Sequence, residues 1–288
     1  MPQELYILPI LGDVNLKKLD AKRLQAFKDD LAERDIAVTT KRNIYGYLRT
    51  LLNYAVKVEY LPKNPLDKVG NFKDTQIVRK EMDYYDPDEF KVFIKTAKGL
   101  AAKEEQNGSF HEWHYYVFFA LAFYTGLRKG EIHALDWNSI KDGYLSVTKS
   151  ITQKLKGEDR ITPPKNRTSV RTIQIPAPLI EVLDEHYKRC QTLDGFTDNC
   201  FICGITKSLR DSTIQKRNVK YSQEAKLKTI RIHDFRHSHA SLLANEGINI
   251  QEIARRLGHS KIEITWQTYS HMYPREEERA INILNKIV

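Results

Sequence analysis

The stretch YYVFFALAFYTGLRKGEIHALDW, residues 115–137, decides how we expect this chain to fold. Its first part is apolar or aromatic on every side, which is typical of a buried helix, here predicted over residues 110–126. Gly126 is an expected helix end, because glycine adopts the left-handed conformation that commonly closes one. Arg128 follows it, and its guanidinium either points at a ligand or caps helix carbonyls. The stretch predicts the centre of a helical domain.

Beyond this helix, the sequence pattern changes from helical to alternating. Residues 143–151 (GYLSVTKSI) and 170–175 (VRTIQI) alternate and are rich in β-branched residues, so they predict strands. A third short strand is expected near residues 160–162, and the polar stretch between the strands predicts a long hairpin region. Further helices are expected at about residues 87–101, 178–191, 209–226, 234–246, 249–257, 261–269 and 275–286.

Residues 15–68 predict a separate small helical unit. Apolar residues recur there at helical spacing, with Asp20 as one expected N-cap and Thr39 or Thr40 as another. Residues 69–85 lose this periodicity and predict an extended linker. We therefore expect a mainly α chain with a small antiparallel β-sheet. Its two domains are predicted at residues 1–70 and 86–288, with the linker at 71–85.

The composition excludes collagen-like, mainly disordered and disulfide-scaffold proteins and indicates an anionic partner. The 288 residues hold 46 Lys and Arg against 37 Asp and Glu, a formal net charge of +9. This balance favours nucleic acid first and an acidic membrane surface second. Three cysteines fit a reducing compartment. With neither a secretory signal nor a long apolar run, the cytoplasm is the expected location and no membrane partner is expected.

The densest group of chemically useful residues lies in the last third of the chain. It runs from HDFRHSHASLL (233–243) through LGH (257–259) to Tyr269. Arginines and histidines can bind a phosphate, and a tyrosine can act as a covalent nucleophile. Taken singly, each residue also has an ordinary structural interpretation, since a lone helical histidine more often serves the core or the surface. Residue types alone leave phosphoryl transfer as one hypothesis.

Four stretches together resemble the tyrosine recombinase family of phage and conjugative-element integrases. That family is marked by an arginine in a T-G-x-R-x-x-E turn, a hairpin lysine, H-x-x-R, L-G-H and a following tyrosine, and all occur here in that order. The resemblance implies a helical core-binding domain followed by a recombinase catalytic domain. The four stretches are TGLRKGEIHALDW (125–137), TPPKNRTSVRTIQIP (162–176), HDFRHSHASLL (233–243) and LGHSKIEITWQTYSHM (257–272).

The resemblance implies a nucleophile and a phosphate-binding site. Arg128 and Arg236 would bind the scissile phosphate, and Glu131 would support them. Tyr269 would attack phosphorus and leave a 3′-phosphotyrosine, which conserves the phosphodiester energy without ATP, metal or another cofactor. We expect the arginines to lower the pKa of Tyr269 and favour its phenolate.

The resemblance also implies groups for proton transfer. His233 and His259 would assist proton transfer and phosphate binding, and Lys165 would protonate the leaving 5′ hydroxyl. Lys154 and Lys156 lie in the same hairpin region. Lys165 is preferred because it directly precedes the strand at 170–175.

The implied partner is double-stranded DNA at attachment sites. The two domains would close around it, four protomers would synapse two sites, and the free protein is expected to be a monomer. Accessory DNA-bending or excision factors are further candidate partners. The residues predicted to bind DNA are Lys41, Arg42, Arg49, Arg79 and Lys80.

Both ends of the chain carry expectations of their own. No arm-binding domain precedes residue 15, and the opening helix expected before Leu16 is predicted to be absent or poorly formed, which indicates a truncated or short family member. A C-terminal helix with an apolar stripe is expected to dock on a neighbouring protomer or, alternatively, on its own domain. The stripe comprises Ala280, Ile281, Leu284, Ile287 and Val288.

Other functions weigh less on the residues. A DNA-binding regulator without catalysis would not need Tyr269. A metal-dependent nuclease built on His233 and His237 lacks a third ligand or an acidic set. Cys200 and Cys203 form a lone CxxC, for which core thiols are favoured over a zinc site because zinc needs four ligands.

Overall fold

Helices dominate the computed structural model of the chain, which describes residues 3–73, 82–154, 158–163, 169–273, 281 and 284–285. The chain divides into two compact units, Met1–Lys80 and Glu81–Val288. The predicted fold class, mainly α with small antiparallel sheets, is confirmed. Among the helices of the described part, none is long and apolar enough to span a membrane.

The N-terminal unit is a set of helices around its own apolar core. Asp20 caps its second helix as predicted, accepting a hydrogen bond from the Arg23 amide at 2.8 Å. The next helix begins earlier than expected, because its N-cap is Ala37 and neither Thr39 nor Thr40. The α-helices of this unit are α1 (Leu8–Leu11), α2 (Ala21–Glu33) and α3 (Val38–Lys57).

The expectation that no well-formed helix precedes Leu16 is wrong. A π-helical turn, Gln3–Ile7, leads directly into α1. Ile7 and Leu11 lie one helical turn apart and both bury against the core of the unit. This burial stabilises a short segment whose local sequence, with its Pro and Gly, gives only a weak helical signal.

The C-terminal unit is arranged around one buried helix, α5 (His111–Thr125), close to the predicted bounds. Phe118, Phe119 and Leu121 are fully buried. Neighbouring helices pack on it from several sides, which explains its apolar residues on every face. The other helices are α4 (Pro87–Gln106), α6 (Lys129–His133), α7 (Ala177–Cys190), α8 (Asp211–Glu224), α9 (Asp234–Asn245), α10 (Ile250–Leu257) and α11 (Ile262–Tyr269).

The single strand predicted over residues 143–151 is two strands in two sheets. In the first sheet, β2 pairs on either side with β1 and β5, and Leu145 lies opposite Ile173 in its buried face. In the second sheet, β3 pairs with β4. The alternation of apolar and polar residues continues from β2 into β3. The sequence therefore does not show that the two strands pair with different neighbours. The strands are β1 (Ile140–Lys141), β2 (Tyr144–Val147), β3 (Ser150–Thr152), β4 (Arg160–Thr162) and β5 (Arg171–Gln174).

Candidate active site

Two helix ends that close on glycine form the frame of the candidate site. Gly126 ends α5 and Gly258 ends α10, with left-handed φ angles of 63° and 66°. A Cβ on Gly126 would lie 2.6 Å from Cδ2 of His239, and one on Gly258 would lie 2.8 Å from Nη1 of Arg171. Both positions therefore need glycine for space as well as for conformation.

The guanidinium of Arg236 joins these two turns. Its Nη1 donates to the Gly126 carbonyl and its Nη2 to the Leu257 carbonyl, both at 2.7 Å. The residue is 3% exposed. Burial, with the nearby charge of Arg128, lowers the pKa of Arg236 to about 9, so the side chain is still a cation at neutral pH. Two backbone acceptors thus fix the orientation of a buried positive charge.

The hydrogen bonds of His259 determine its tautomer. Nη2 of Arg236 lies 2.9 Å from Nε2 of His259, and because a guanidinium only donates, Nε2 must accept. Nδ1 then carries the proton and donates to Oγ1 of Thr265 at 2.7 Å. Burial and the charges of Arg236 and Arg128 lower the pKa of His259 to about 4. The imidazole is neutral at physiological pH.

Arg128 is a partly exposed cation at the site. Its Nη1 donates to Glu131 at 3.0 Å, and its Nη2 donates to the Gly258 carbonyl at a longer 3.3 Å. The side chain is 40% exposed, in contrast to that of Arg236. The carbonyl-capping interpretation therefore accounts for one long contact, and the partly exposed side chain remains accessible to a ligand.

Glu131 accepts hydrogen bonds from two arginines, Arg128 and Arg171, and so fixes their positions. Its carboxylate also accepts two hydrogen bonds from Arg171, at 3.1 and 2.9 Å. Burial tends to raise the pKa of Glu131, but the hydrogen bonds and charges of Arg171 and Arg128 outweigh it and lower that pKa overall. The sequence analysis missed Arg171. The available signal was its place in β5, in phase with the buried Ile173.

The hydroxyl of Tyr269 lies 2.6 Å from Nδ1 of His237, a contact that the sequence analysis did not anticipate. Tyr269 is 1% exposed and packs against Ala240 and Leu257. The expectation that arginines favour its phenolate is wrong for this structure. Burial raises the pKa of Tyr269 by more than the charge of Arg236 lowers it, so the phenol is protonated.

The other two histidines of the HDFRHSH segment differ in surroundings. His233 is exposed at the N-terminus of α9, and its ring lies against that of His237, with centroids 5.0 Å apart. Partial burial and the charge of Arg236 lower the pKa of His233. His239 is buried against Gly126, and burial lowers its pKa to about 3. His239 therefore packs inside the protein, and His233 faces the site.

A second cluster of histidines lies in the core. Within the described residues, the one group spaced for a metal ion is His114, His186 and Cys190. The Ile202 carbonyl accepts from Nε2 of His186 at 2.9 Å and also hydrogen-bonds His114. A backbone oxygen thus lies among the ligand atoms and accepts hydrogen bonds from both imidazoles. All three cysteines are buried and free, as predicted for core thiols.

Several predicted residues lie in the N-terminal unit or outside the described residues. Nζ of Lys41 donates to the Ala32 carbonyl at 2.8 Å, and Arg49 forms an ion pair with Asp67 at 2.7 Å. Arg42 is exposed. Predicted residues that lie outside the described part are Arg79, Lys80, Lys165 and most of the C-terminal stripe.

The comparisons with known proteins agree with this architecture. The ICEBs1 integrase of Bacillus subtilis (strain 168) is 30% identical over 284 residues, 95% of this chain and 73% of that protein. A tyrosine recombinase XerC-like protein of Caldanaerobacter subterraneus subsp. tengcongensis is 27% identical over 290 residues, 92% of this chain and 70% of that protein.

Solved structures show the same fold. The Tn1549 transposon integrase in complex with a circular intermediate DNA superposes with a TM-score of 0.74 at 17% identity, over 100% of this chain and 91% of that chain. A lambda integrase dimer bound to a COC′ core site superposes with a TM-score of 0.63 at 18% identity, over 92% and 85%. The phage integrase SAM-like domain model matches residues 10–77, and the phage integrase family model matches residues 86–276. This chain belongs to the phage integrase family of tyrosine recombinases.

Proposed function

We propose that this protein is a site-specific DNA recombinase that integrates or excises a mobile element through a covalent 3′-phosphotyrosine intermediate. The observation that carries the proposal is the pair of cations at the two glycine turns. Arg236 is buried and held by two backbone carbonyls, and the nearby Arg128 is partly exposed. The charge of Arg128 lowers the pKa of Arg236. Bringing two cations together costs free energy that a bound phosphate offsets.

Phosphate binding and attack use the residues of this frame. Arg128 and Arg236 bind the non-bridging oxygens of the scissile phosphate, where negative charge builds up in the transition state. Glu131 is ionised and keeps the guanidinium of Arg128 in place. Oη of Tyr269 attacks phosphorus, the new Oη–P bond forms, and the bond from phosphorus to the 5′ oxygen breaks.

Proton transfer completes each step. Lys165 protonates the leaving 5′ oxygen, and His233 and His259 assist phosphate binding and proton movement. The phosphotyrosine bond conserves the energy of the broken phosphodiester, so strand rejoining needs neither ATP nor a metal ion. A second round of attack by the partner strand's 5′ hydroxyl exchanges strands.

The N-terminal unit and the basic residues serve DNA binding in this proposal. The domain at residues 1–70 binds core-type DNA, the linker spans 71–85, and catalysis lies in 86–288. The free protein is a monomer, four protomers assemble on two synapsed sites in the cytoplasm, and accessory DNA-bending or excision factors direct the reaction. The DNA-bound states of the Tn1549 and lambda proteins support a DNA partner. The basic residues assigned to the DNA backbone are Lys41, Arg42, Arg49, Arg79 and Lys80.

The test is a search for a covalent complex. The protein is incubated with candidate attachment-site DNA that carries a nick near the cleavage point, so that a cleaved fragment diffuses away and the adduct accumulates. We expect a protein–DNA adduct that survives denaturing electrophoresis and forms equally fast in excess EDTA. DNA binding without an adduct would indicate a regulator that has the fold but not the activity. Cleavage that disappears with EDTA would indicate a metal-dependent nuclease.

A further inference from the structure

The hydroxyl of Tyr269 and the ring of His237 are hydrogen-bonded directly. Burial and the charges of His233, Arg236 and Arg231 lower the pKa of His237 to about 4, although Asp234 acts in the opposite sense. The imidazole is therefore neutral at physiological pH. The phenol of Tyr269 is protonated, and its oxygen lies 2.6 Å from Nδ1 of His237. In the tautomer that carries the ring proton on Nε2, the hydroxyl of Tyr269 donates to Nδ1.

Two neighbouring groups, Arg236 and His259, cannot accept this proton as they stand. Arg236 has no acceptor atom. His259 uses Nε2 to accept from Arg236 at 2.9 Å and Nδ1 to donate to Thr265 at 2.7 Å. Among the described residues, His237 is the side chain that is hydrogen-bonded to the hydroxyl of Tyr269. The phenolic proton therefore has one acceptor already in place.

We propose that His237 is the general base that takes the proton of Tyr269 during cleavage, an inference that rests on the function proposed above. As the Oη–P bond forms and the P–O5′ bond breaks, the phenolic proton moves to Nδ1 and His237 becomes an imidazolium. The general acid supplies a separate proton to the 5′ oxygen. On rejoining, the 5′ hydroxyl attacks phosphorus and gives its proton back to that acid, and the imidazolium returns its proton to Tyr269.

Substrate binding makes His237 a stronger base. The charge of Arg236 lowers the pKa of His237 in the free protein, and a phosphate bound to Arg236 neutralises that charge. The carboxylate of Asp234, which Arg231 holds at 2.8 Å, favours the imidazolium as it forms. Proton transfer thus becomes favourable when DNA is in the site, and Tyr269 stays protonated when the site is empty.

The experiment isolates the proton of the nucleophile from that of the leaving group. DNA with a sulfur in place of the 5′ bridging oxygen at the scissile position has a leaving group that needs no general acid. On this DNA, we expect the wild-type rate of adduct formation to change little between pH 7 and 9. His237→Ala and His237→Gln should be slower at pH 7 by roughly 10²–10⁴-fold, and should speed up by about tenfold per pH unit as hydroxide removes the phenolic proton.

Matched variants separate this role from others. Glutamine at position 237 can still accept the hydrogen bond but cannot take up the proton, so DNA binding and thermal stability should remain while the rate is lost. Lys165→Ala provides the opposite control. Lys165 is the proposed donor of a proton to the leaving group, and the sulfur leaving group does not need that proton. On this DNA, Lys165→Ala should therefore form the adduct at the wild-type rate. His233→Gln, one helical turn away, should lack the new dependence on pH.

Each outcome decides one question. If both His237 variants form the adduct as fast as the wild type, with the same pH profile, His237 is not the base. If they are faster, the contact restrains Tyr269 and the proposal is equally wrong. If the wild type binds this DNA and forms no adduct at all, the proposed function itself fails, independently of His237.

Discussion

Two pairs of histidines in the C-terminal unit have similarly lowered pKa values and different partners. In the core, burial lowers the pKa of His114 to about 3 and that of His186 to about 4. Their partners are backbone groups, namely the Ile202 carbonyl and the amide of Gly204, which donates to His114 at 3.3 Å. These backbone groups take no part in chemistry on a substrate, so we assign this pair of histidines to packing.

In the candidate site, the partners are reactive or charged. Burial lowers the pKa of both His237 and His259 to about 4 as well. Here, however, the ring of His237 is hydrogen-bonded to the hydroxyl of Tyr269, and the ring of His259 accepts from the guanidinium of Arg236. A lowered pKa makes all four rings neutral. The partner of each ring, and not its pKa, distinguishes the chemical pair from the structural pair.

Among the substitutions at Arg236, His186 and Thr265, the largest effect is expected at Arg236, on the chemical side of this comparison. Arg236→Lys keeps a positive charge but loses the fork that reaches two carbonyls at 2.7 Å. Adduct formation should fall by roughly 10²–10³-fold, as for the loss of one transition-state donor. The measurement is the single-turnover rate on nicked attachment-site DNA.

The control for that variant is Arg210→Lys, an ion-paired arginine that is 51% exposed and belongs to no part of the site. It should retain the wild-type rate. A rate for Arg236→Lys equal to that of the control would remove Arg236 from the phosphate-binding site.

The next effect concerns stability and the structural pair. Above the ordinary histidine pKa, about 6.5, His114 and His186 are neutral whether folded or unfolded. As the pH falls below that value, the unfolded chain takes up protons and the folded one does not until about pH 3 for His114 and about pH 4 for His186. Stability is therefore lost through this window, by up to about 1.4 kcal/mol per pH unit for each histidine.

His186→Gln sharpens the comparison, because an amide can still donate to the Ile202 carbonyl but does not titrate. Denaturant unfolding at pH 7 and pH 5 should show a smaller loss of stability than in the wild type. The rate of adduct formation by the folded variant at pH 7 should be unchanged. A large drop in that rate with unchanged stability would reverse our assignment of the two pairs.

The smallest effect is expected at Thr265, whose fully buried hydroxyl accepts from Nδ1 of His259. Thr265→Val keeps the shape and removes one hydrogen bond worth about 1 kcal/mol, or about fivefold in rate. Thr265→Ser keeps the hydroxyl and should retain the wild-type rate. Equal rates for the two variants would show that the hydrogen bond between His259 and Thr265 does not contribute to the rate.

Local patterns were enough for much of the fold. The continuous apolar run of α5 and the capping acid Asp20 depend on neighbours in sequence, and both predictions are confirmed. The break between β2 and β3 was missed because it depends on which strand pairs with which. Chain topology, and not propensity, decides that pairing.

The candidate site was predictable only in part for the same reason. The family motifs point to Arg128 and Arg236. The two turns that these arginines contact are marked in the sequence by Gly126 and Gly258. His237 has its partner 32 residues away, and Arg171 reaches a carboxylate 40 residues away. Contacts over such separations produce no pattern in the local sequence. The role of a buried polar side chain can therefore be assigned only once its contacts are known.

The most direct test of the account is the identity of the residue that becomes linked to DNA. The trapped adduct is digested with trypsin and nuclease, and the modified peptide, expected to span residues 262–275, is sequenced by mass spectrometry. We predict a nucleotide on Tyr269, and we predict that Tyr269→Phe binds the DNA without forming an adduct. A nucleotide on Tyr273 of the same peptide, or an adduct with Tyr269→Phe, would contradict the account.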